Sequence, residues 1–188
     1  MNRKFIFITG PSESGKSGAA EYMEKKYPNV KHLKMRDIIK VADSKVEDDT
    51  EQFWKEYINV AMQMSEGKSI IIMDTLRKPK SALILSEILN EKMKILYIEA
   101  SLKNRVIREY KKLKQEGIEV TMEEVIQRTK NKDIEKEKNG LIELRNMVKE
   151  KNGEKFSYII NNDGNIDELH KKLDEFILEI NKEEIERE

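Results

Sequence analysis

An eight-residue stretch near the N-terminus constrains the fold more than any other part of this 188-residue chain. Residues 10–17 read Gly-Pro-Ser-Glu-Ser-Gly-Lys-Ser and directly follow the apolar run 5–8. Glycines let such a loop approach a phosphate closely, while consecutive N–H groups and the positive end of the following helix hold the negative charge. The order of strand, loop and helix favours phosphate binding over an ordinary Gly/Ser turn.

Two side chains of this loop are predicted to carry its chemistry. Lys16 is expected to reach the β- and γ-phosphates of a nucleoside triphosphate, and Ser17 to give a hydroxyl to Mg²⁺. The remaining predicted nucleotide contacts in and beside the loop are Gly10, Ser12, Glu13, Ser14, Gly15 and Gly18. The sequence therefore predicts a triphosphate site in which Lys16 is also catalytic.

The composition narrows the class of protein. Lys plus Arg and Asp plus Glu number 36 each, so there is no global basic field of the kind that drives non-specific nucleic-acid binding. The chain has no Cys and two His, which excludes disulfides and thiolate metal sites and leaves little for a zinc centre. No apolar stretch approaches the roughly 20 residues that span a bilayer, and the N-terminal run is too short for a signal peptide. We expect a cytoplasmic protein with a small-molecule partner, without nucleic acid or membrane.

Apolar runs that alternate with helical patterns predict an α/β fold. Four nearly continuous runs are typical of buried parallel strands, and a fifth is weaker; they are 5–9, 69–73, 94–98, 156–160 and the weaker 31–33. Helices are predicted between them, over 15–27, 35–42, 51–66 and 80–90. This alternation implies a parallel sheet with helices on both faces, and ligands at the carboxyl ends of its strands.

A long segment separates the last two predicted strands. It spans about fifty residues, where a simple crossover needs about a dozen. A helix is predicted over 104–115, a polar and basic stretch follows at 128–133, and a helical pattern closes the segment at 141–148. Cations of this segment could reach over bound phosphates when the insertion closes, or they could belong to a solvated helical face; they are Arg105, Arg108, Arg128, Lys130 and Lys132. After the last strand, Asn165 and Glu168 have the spacing of a capping box and predict the start of a final helix.

Charged residues after two strands are candidates for the acceptor side of the reaction. Asp74 follows the apolar run 70–73, an arrangement that suits either a carboxylate that binds Mg²⁺ or orients an acceptor, or a simple turn cap. Arg77 could grip an acceptor phosphate. Arg36 and Asp37 follow the weak second strand and could face the acceptor, although Asp37 could equally stabilise the first turn of its own helix. His32, His170 and Trp54 are assigned no role.

These segments together resemble the P-loop nucleoside-monophosphate-kinase-like proteins, and most of all the dephospho-CoA-kinase-like nucleotide kinases among them. The likeness is carried by the loop 10–17, the stretch 34–39, the strand with its Asp and Arg at 71–77, and the strand and turn at 158–164. It covers most of the chain, although the loop alone is specific. Two departures from the family pattern are Met35, where a glycine-containing form is usual, and a lid in which lysines replace arginines.

The resemblance implies a P-loop NTPase fold, with three α/β/α layers, a five-stranded parallel sheet and a helical lid insertion. It implies one domain over 1–188, with an acceptor-binding region at 35–66 and a lid at 117–141. ATP would be the phosphoryl donor, with Mg²⁺. By the same likeness Asn162 and Gly164 would contact the adenine through a turn, and Arg128 would belong to the lid.

Three functions are weighed from these features. The leading one is transfer of a phosphoryl group from ATP to a small phosphorylated acceptor, either a nucleoside monophosphate or a molecule like dephospho-CoA. Here Lys16, Asp74 and Asp37 are the catalytic candidates, Ser17 and Asp74 the metal ligands, and the acceptor phosphate is held by Arg36, Arg77 and Arg105. The alternatives are an ATP-binding regulatory module without a small acceptor, and a GTPase switch, which the lack of an Asn-Lys-x-Asp segment disfavours.

Overall fold

Five short strands form the centre of the molecule. The computed structural model describes residues 3–41, 49–74, 76–150 and 157–185. Its strands are β1 (Lys4–Thr9), β2 (Val30–Leu33), β3 (Ile70–Met73), β4 (Met93–Glu99) and β5 (Ser157–Asn161). They pair in parallel, in the order β2-β3-β1-β4-β5. The predicted parallel sheet is confirmed, including its weak second strand; residue 156, the predicted start of the last strand, lies outside the described residues.

Eight helices connect or flank these strands in the described part of the chain. They are α1 (Lys16–Lys26), α2 (Met35–Ile39), α3 (Glu51–Met64), α4 (Pro79–Leu89), α5 (Leu102–Gln115), α6 (Met122–Lys138), α7 (Leu141–Glu150) and α8 (Ile166–Ile185). A short 3₁₀ turn, Asn90–Lys92, follows α4. The helix predicted over 35–42 ends at Ile39, and residue 42 lies outside the described residues. None of the described helices is both long and apolar enough to cross a membrane.

Helices cover both faces of the sheet, which explains why the strands are apolar almost throughout. Phe5 and Phe7 of β1 point to one face and pack in a core with α3, α4 and α7. Ile6 and Ile8 point to the other face, in a core with α1 and α8. The result is the three-layer α/β/α arrangement, with β1 in the middle of the sheet and the loop 10–17 at its carboxyl end.

Local sequence signals explain where several helices begin. The Thr50 side chain caps α3 by accepting a hydrogen bond from the backbone of Phe53. Pro79 opens α4, where its missing N–H costs nothing. At α8 the Asn165 side chain accepts from the Glu168 backbone at 2.9 Å, as the capping-box spacing predicts.

The insertion between β4 and β5 is mostly helical over its described length, with three helices rather than the two that the sequence pattern predicts. The additional helix is α6, which includes the basic stretch 128–133. Its start carries a reciprocal capping box between Thr121 and Glu124. α5 and α6 share a small apolar core formed by Val106, Leu113 and Val125, while α7 returns to pack against the sheet.

Candidate functional site

The loop 10–17 joins β1 to α1 in a conformation that requires its glycines. Gly10 has a φ of 135°, and a Cβ there would lie 2.1 Å from the Ile98 carbonyl oxygen of β4. Gly15 has a φ of 102°, and a Cβ there would lie 2.4 Å from Nδ2 of Asn162. Both positions combine left-handed backbone with close approach of another chain segment, so a side chain is excluded at each. The loop thus forms the backbone cradle that its spacing predicts.

Two half-buried lysines reach the carbonyls at the start of this loop. Lys16 Nζ donates to the Pro11 carbonyl oxygen at 2.5 Å and Lys136 Nζ of α6 donates to the Gly10 carbonyl oxygen at 3.1 Å. Burial, together with the nearby charge of Lys136, lowers the pKa of Lys16 to about 7. Burial likewise lowers the pKa of Lys136 to about 8, with a contribution from the nearby charge of Arg77. Mutual repulsion and burial of these cations make the site favourable for an anion.

A cavity of about 380 Å³ opens beside the loop at the carboxyl edge of the sheet. Its lining includes Gly10 and Ser12 of the loop and helical residues of the insertion. Four cationic side chains line it against two acidic ones: Lys16, Arg77, Lys132 and Lys136 against Asp74 and Glu135. The excess of cations fits the phosphates of a nucleotide, and the cradle formed by Gly10 and Gly15 admits them.

Asp74 is the carboxylate that β3 delivers to this cavity. His32, at the end of the neighbouring strand β2, places its Nε2 3.7 Å from Asp74 Oδ2. Burial raises the pKa of Asp74, but the His32 imidazole and the Met35 backbone N–H outweigh burial and bring that pKa below its usual value. Asp74 is therefore ionised at neutral pH and is available to a cation or to an acceptor proton. Mg²⁺ is typically held by one or two carboxylates together with phosphate oxygens, a requirement that Asp74 fits.

Of the two predicted arginines of the insertion, Arg105 lies against the loop and Arg128 lies at the surface. Arg105 is buried, forms two hydrogen bonds to Asp133 at 2.8 and 2.6 Å, and donates to the Ser12 carbonyl oxygen at 3.3 Å. Arg128 is half exposed and pairs with Glu109 at 2.9 Å. Neither guanidinium lines the cavity in this conformation.

The remaining predicted residues fall in three places. On α2, Arg36 is exposed and Asp37 is half-buried. Arg36 Nε lies 4.0 Å from Asp37 Oδ1, and Asp37 also pairs with Lys40. Ser17 and Gly18 lie exposed on the first turn of α1. In the turn after β5, Gly164 is exposed.

The rest of the loop and turn is tied into the site by polar contacts. Asn162 is buried and donates from Nδ2 to the Ser14 carbonyl oxygen at 2.9 Å. Glu13 lies 3.8 Å from the Lys132 ammonium. The site thus collects the loop, Asp74, Arg77 and Asn162, and leaves Arg36 and Asp37 on the surface of α2.

Three residues of the site make contacts that the sequence did not predict. Lys136 carries a weak signal, its spacing of four residues from Lys132 on a helix that begins with a capping box. Arg108 donates to the carbonyl oxygens of Glu13 and Asn162, although its place in a basic helical segment had suggested contact with phosphate. His32 had no signal, because its approach to Asp74 follows from the pairing of β2 with β3.

Comparisons with known proteins support the fold. The sequence matches no protein-family model, and no curated protein is a significant match. Among solved structures, an uncharacterized protein from Eubacterium ventriosum ATCC 27560 is 15% identical with a TM-score of 0.56, over 95% of this chain and 99% of that one. TT1252 from Thermus thermophilus is 15% identical with a TM-score of 0.50, over 95% and 98%.

A third solved structure adds a protein with a stated activity. A gluconokinase from Sinorhizobium meliloti 1021 is 13% identical with a TM-score of 0.53, over 92% of this chain and 90% of that one. At such identities the likeness shows the fold alone. The chain has a three-layer α/β/α fold with a five-stranded parallel sheet, and it shares that fold with this gluconokinase.

Proposed function

We propose that this chain is a phosphotransferase that moves the γ-phosphoryl group of Mg·ATP to a small phosphorylated acceptor. The observation that carries the proposal is the shared cavity, because the phosphate-binding loop, Asp74 and Arg77 all line it. In the reaction an acceptor oxygen forms a bond to the γ-phosphorus while the bond from that phosphorus to the bridging oxygen breaks and ADP leaves. Positioning and charge stabilisation supply most of the catalysis in such reactions.

The donor side belongs to the loop. Lys16 turns from the Pro11 carbonyl to the transferring phosphoryl group, and the amides of the loop from residue 12 to Gly18 hold the β- and γ-phosphates. Ser17 and Asp74 would hold Mg²⁺, which neutralises charge on the phosphate oxygens when bound. The turn that contains Asn162 and Gly164 would receive the adenine, mostly through backbone groups.

The acceptor side extends from Arg77 toward α2 and α3. Arg77 also lines a second, smaller cavity of about 160 Å³, together with Met35 and Trp54. This second cavity supports the predicted acceptor region 35–66, with Arg77 holding the acceptor phosphate between the two cavities. Asp74 lines the first cavity together with Arg77. The Asp74 carboxylate would orient the acceptor or take the proton of the acceptor hydroxyl.

Of the two acidic candidates, Asp74 is better placed for chemistry. It lines the same cavity as Lys16, whereas Asp37 lies outside that cavity and pairs with Lys40. Arg36 and Asp37 would take part only if α2 turned toward the cavity. The lid over 117–141 would close through α6, which already contributes Lys132 and Lys136 to the cavity lining, with Arg128 as its arginine. Arg105 of α5 lies outside the lid and would clamp the acceptor phosphate.

The test is ADP formation from Mg·ATP with a panel of acceptors: each ribo- and deoxynucleoside monophosphate, dephospho-CoA and several phosphorylated metabolites. One acceptor is expected to accelerate turnover selectively, and Lys16→Ala to abolish it. Arg77→Ala is expected to raise the KM for that acceptor at least about tenfold, by loss of a charge-assisted contact, with the KM for ATP unchanged. Lys80→Ala is the control, since Lys80 is an exposed cation three residues away.

Two outcomes would contradict parts of this proposal. Turnover indifferent to every acceptor would favour an ATP-binding module without a small acceptor. An unchanged acceptor KM in Arg77→Ala would remove Arg77 from the site.

A further inference from the structure

Three consecutive carbonyls of the phosphate-binding loop are each held by a side chain from outside the loop. The donors come from α5 and from the turn after β5, and all three are buried or half-buried. The pairs are Arg105 Nη1 to Ser12 O at 3.3 Å, Arg108 Nη1 to Glu13 O at 3.4 Å and Asn162 Nδ2 to Ser14 O at 2.9 Å.

Arg108 links two of the elements that this site needs. Besides the Glu13 carbonyl it donates from Nη2 to the carbonyl oxygen of Asn162 at 2.6 Å. Asn162 is itself fixed, because its backbone N–H donates to the Glu99 carbonyl oxygen at 2.8 Å and extends the pairing of β4 with β5. The loop and the turn are therefore joined by a closed set of hydrogen bonds that runs from Glu13 and Ser14 through Asn162 and Arg108.

The held carbonyls fix the direction of the loop amides. In a trans peptide the carbonyl of one residue and the N–H of the next point to opposite sides, and no cis peptide bond occurs in the described residues. With the carbonyls of residues 12–14 held on the side of α5 and the turn, the N–H groups of Glu13, Ser14 and Gly15 point away from that side. Donors already oriented before binding lose less freedom when a phosphate arrives.

We propose that Arg108 is a positioning residue for the triphosphate, a role that rests on the proposed function. It touches neither phosphate nor base, and it acts by clipping the loop to the turn so that the loop amides stay directed at the phosphates. Because it holds both segments, loss of its side chain loosens the loop and the turn together. Two carbonyl contacts require the planar fork of Arg, and an ammonium at that position satisfies one of them.

The experiment compares Arg108→Ala and Arg108→Lys with the wild type by calorimetric titration with Mg·ATP and with Mg·tripolyphosphate. Arg108→Ala is expected to weaken both ligands by about tenfold or more, the usual scale for loss of a charge-assisted hydrogen bond. Arg108→Lys should restore part of that loss. The matched control is Lys111→Ala, one turn further along α5 and exposed, which should bind both ligands like the wild type.

Amide hydrogen exchange on the nucleotide-free proteins gives a second readout that needs no ligand. Peptides that cover 10–17 and 161–165 should exchange faster in Arg108→Ala, with the sheet core unchanged. Unaltered exchange in both peptides would overturn the proposal, as would unaltered affinity for both ligands. A loss for ATP with none for tripolyphosphate would also overturn it, because Arg108 would then contact the nucleoside. A wild type that binds neither ligand contradicts the proposed function, and the exchange result still decides the role of Arg108.

Discussion

Binding of Mg·ATP should draw protons from solution. Lys16 and Lys136 have pKa values of about 7 and about 8 because burial and neighbouring cations disfavour their charged forms. Phosphate oxygens beside the two ammonium groups favour the charged forms and raise both pKa values. At a pH above the starting pKa, each lysine must therefore take up a proton when the nucleotide binds.

The pKa values set the size of this uptake. At pH 8 Lys16 is about nine-tenths neutral and Lys136 about half neutral, so binding takes up about 1.4 protons. At pH 7 the uptake falls to about 0.6, and at pH 6 to about 0.1, because both lysines are already charged. By the same linkage the affinity for Mg·ATP declines as the pH rises from 7 to 9.

Calorimetric titration in buffers of different ionisation enthalpy measures this number directly, as the slope of the observed enthalpy against the buffer enthalpy. Lys136→Met should lower the uptake at pH 8 by more than about half a proton, because loss of its charge also raises the pKa of Lys16. Lys111→Ala on α5 should leave the uptake unchanged. An uptake near zero at pH 8, or one that does not vary between pH 6 and pH 8, would refute the placement of phosphates beside these lysines.

Three further predictions concern the stability of the fold and the form of the loop. Lys136→Met should raise the free energy of unfolding at pH 7 by about 2 kcal/mol, because removing a lysine with a depressed pKa gains more stability than the lost hydrogen bond costs. This gain is largest below pH 8 and shrinks as the pH rises toward 10.5. A variant less stable than the wild type in urea titration at pH 7 would contradict the prediction. Asp174→Ala removes the carboxylate that accepts from two tyrosines and a lysine at α1 and should cost about 1–2 kcal/mol in the same assay. Gly15→Ala forces a Cβ to 2.4 Å from Asn162 and should abolish detectable Mg·ATP binding in a folded protein, as circular dichroism would verify.

The sheet and the loop were predictable because their signals are local. Runs that are apolar at every position indicate strands buried on both faces. The glycines of the loop occur where the backbone adopts conformations that other residues rarely adopt, and their spacing is visible in the sequence. The caps at Thr50 and Asn165 are equally local. The local pattern did not mark α6, which only the family resemblance assigned to a helical lid, because Val125 is the one apolar residue of that helix that is fully buried and its stability depends on α5. A search for the capping box at Thr121 would have found its start.

Contacts between segments that are distant along the chain could not be predicted from the sequence. Lys136 reaches Gly10 over 126 positions of the chain, and Arg108 reaches Asn162 over 54. Nothing in the local sequence distinguishes an arginine that hydrogen-bonds to two backbone segments from an arginine that binds phosphate. His32 likewise approaches Asp74 only because the sheet places β2 beside β3.

The fate of the γ-phosphoryl group of ATP tests the central claim most directly. Phosphorus NMR of a reaction with Mg·ATP and the acceptor that most accelerates ADP formation should show a new resonance of the phosphorylated acceptor, in equal amount to ADP and absent in Lys16→Ala. Inorganic phosphate as the only product with every acceptor of the panel would contradict phosphoryl transfer to a small molecule.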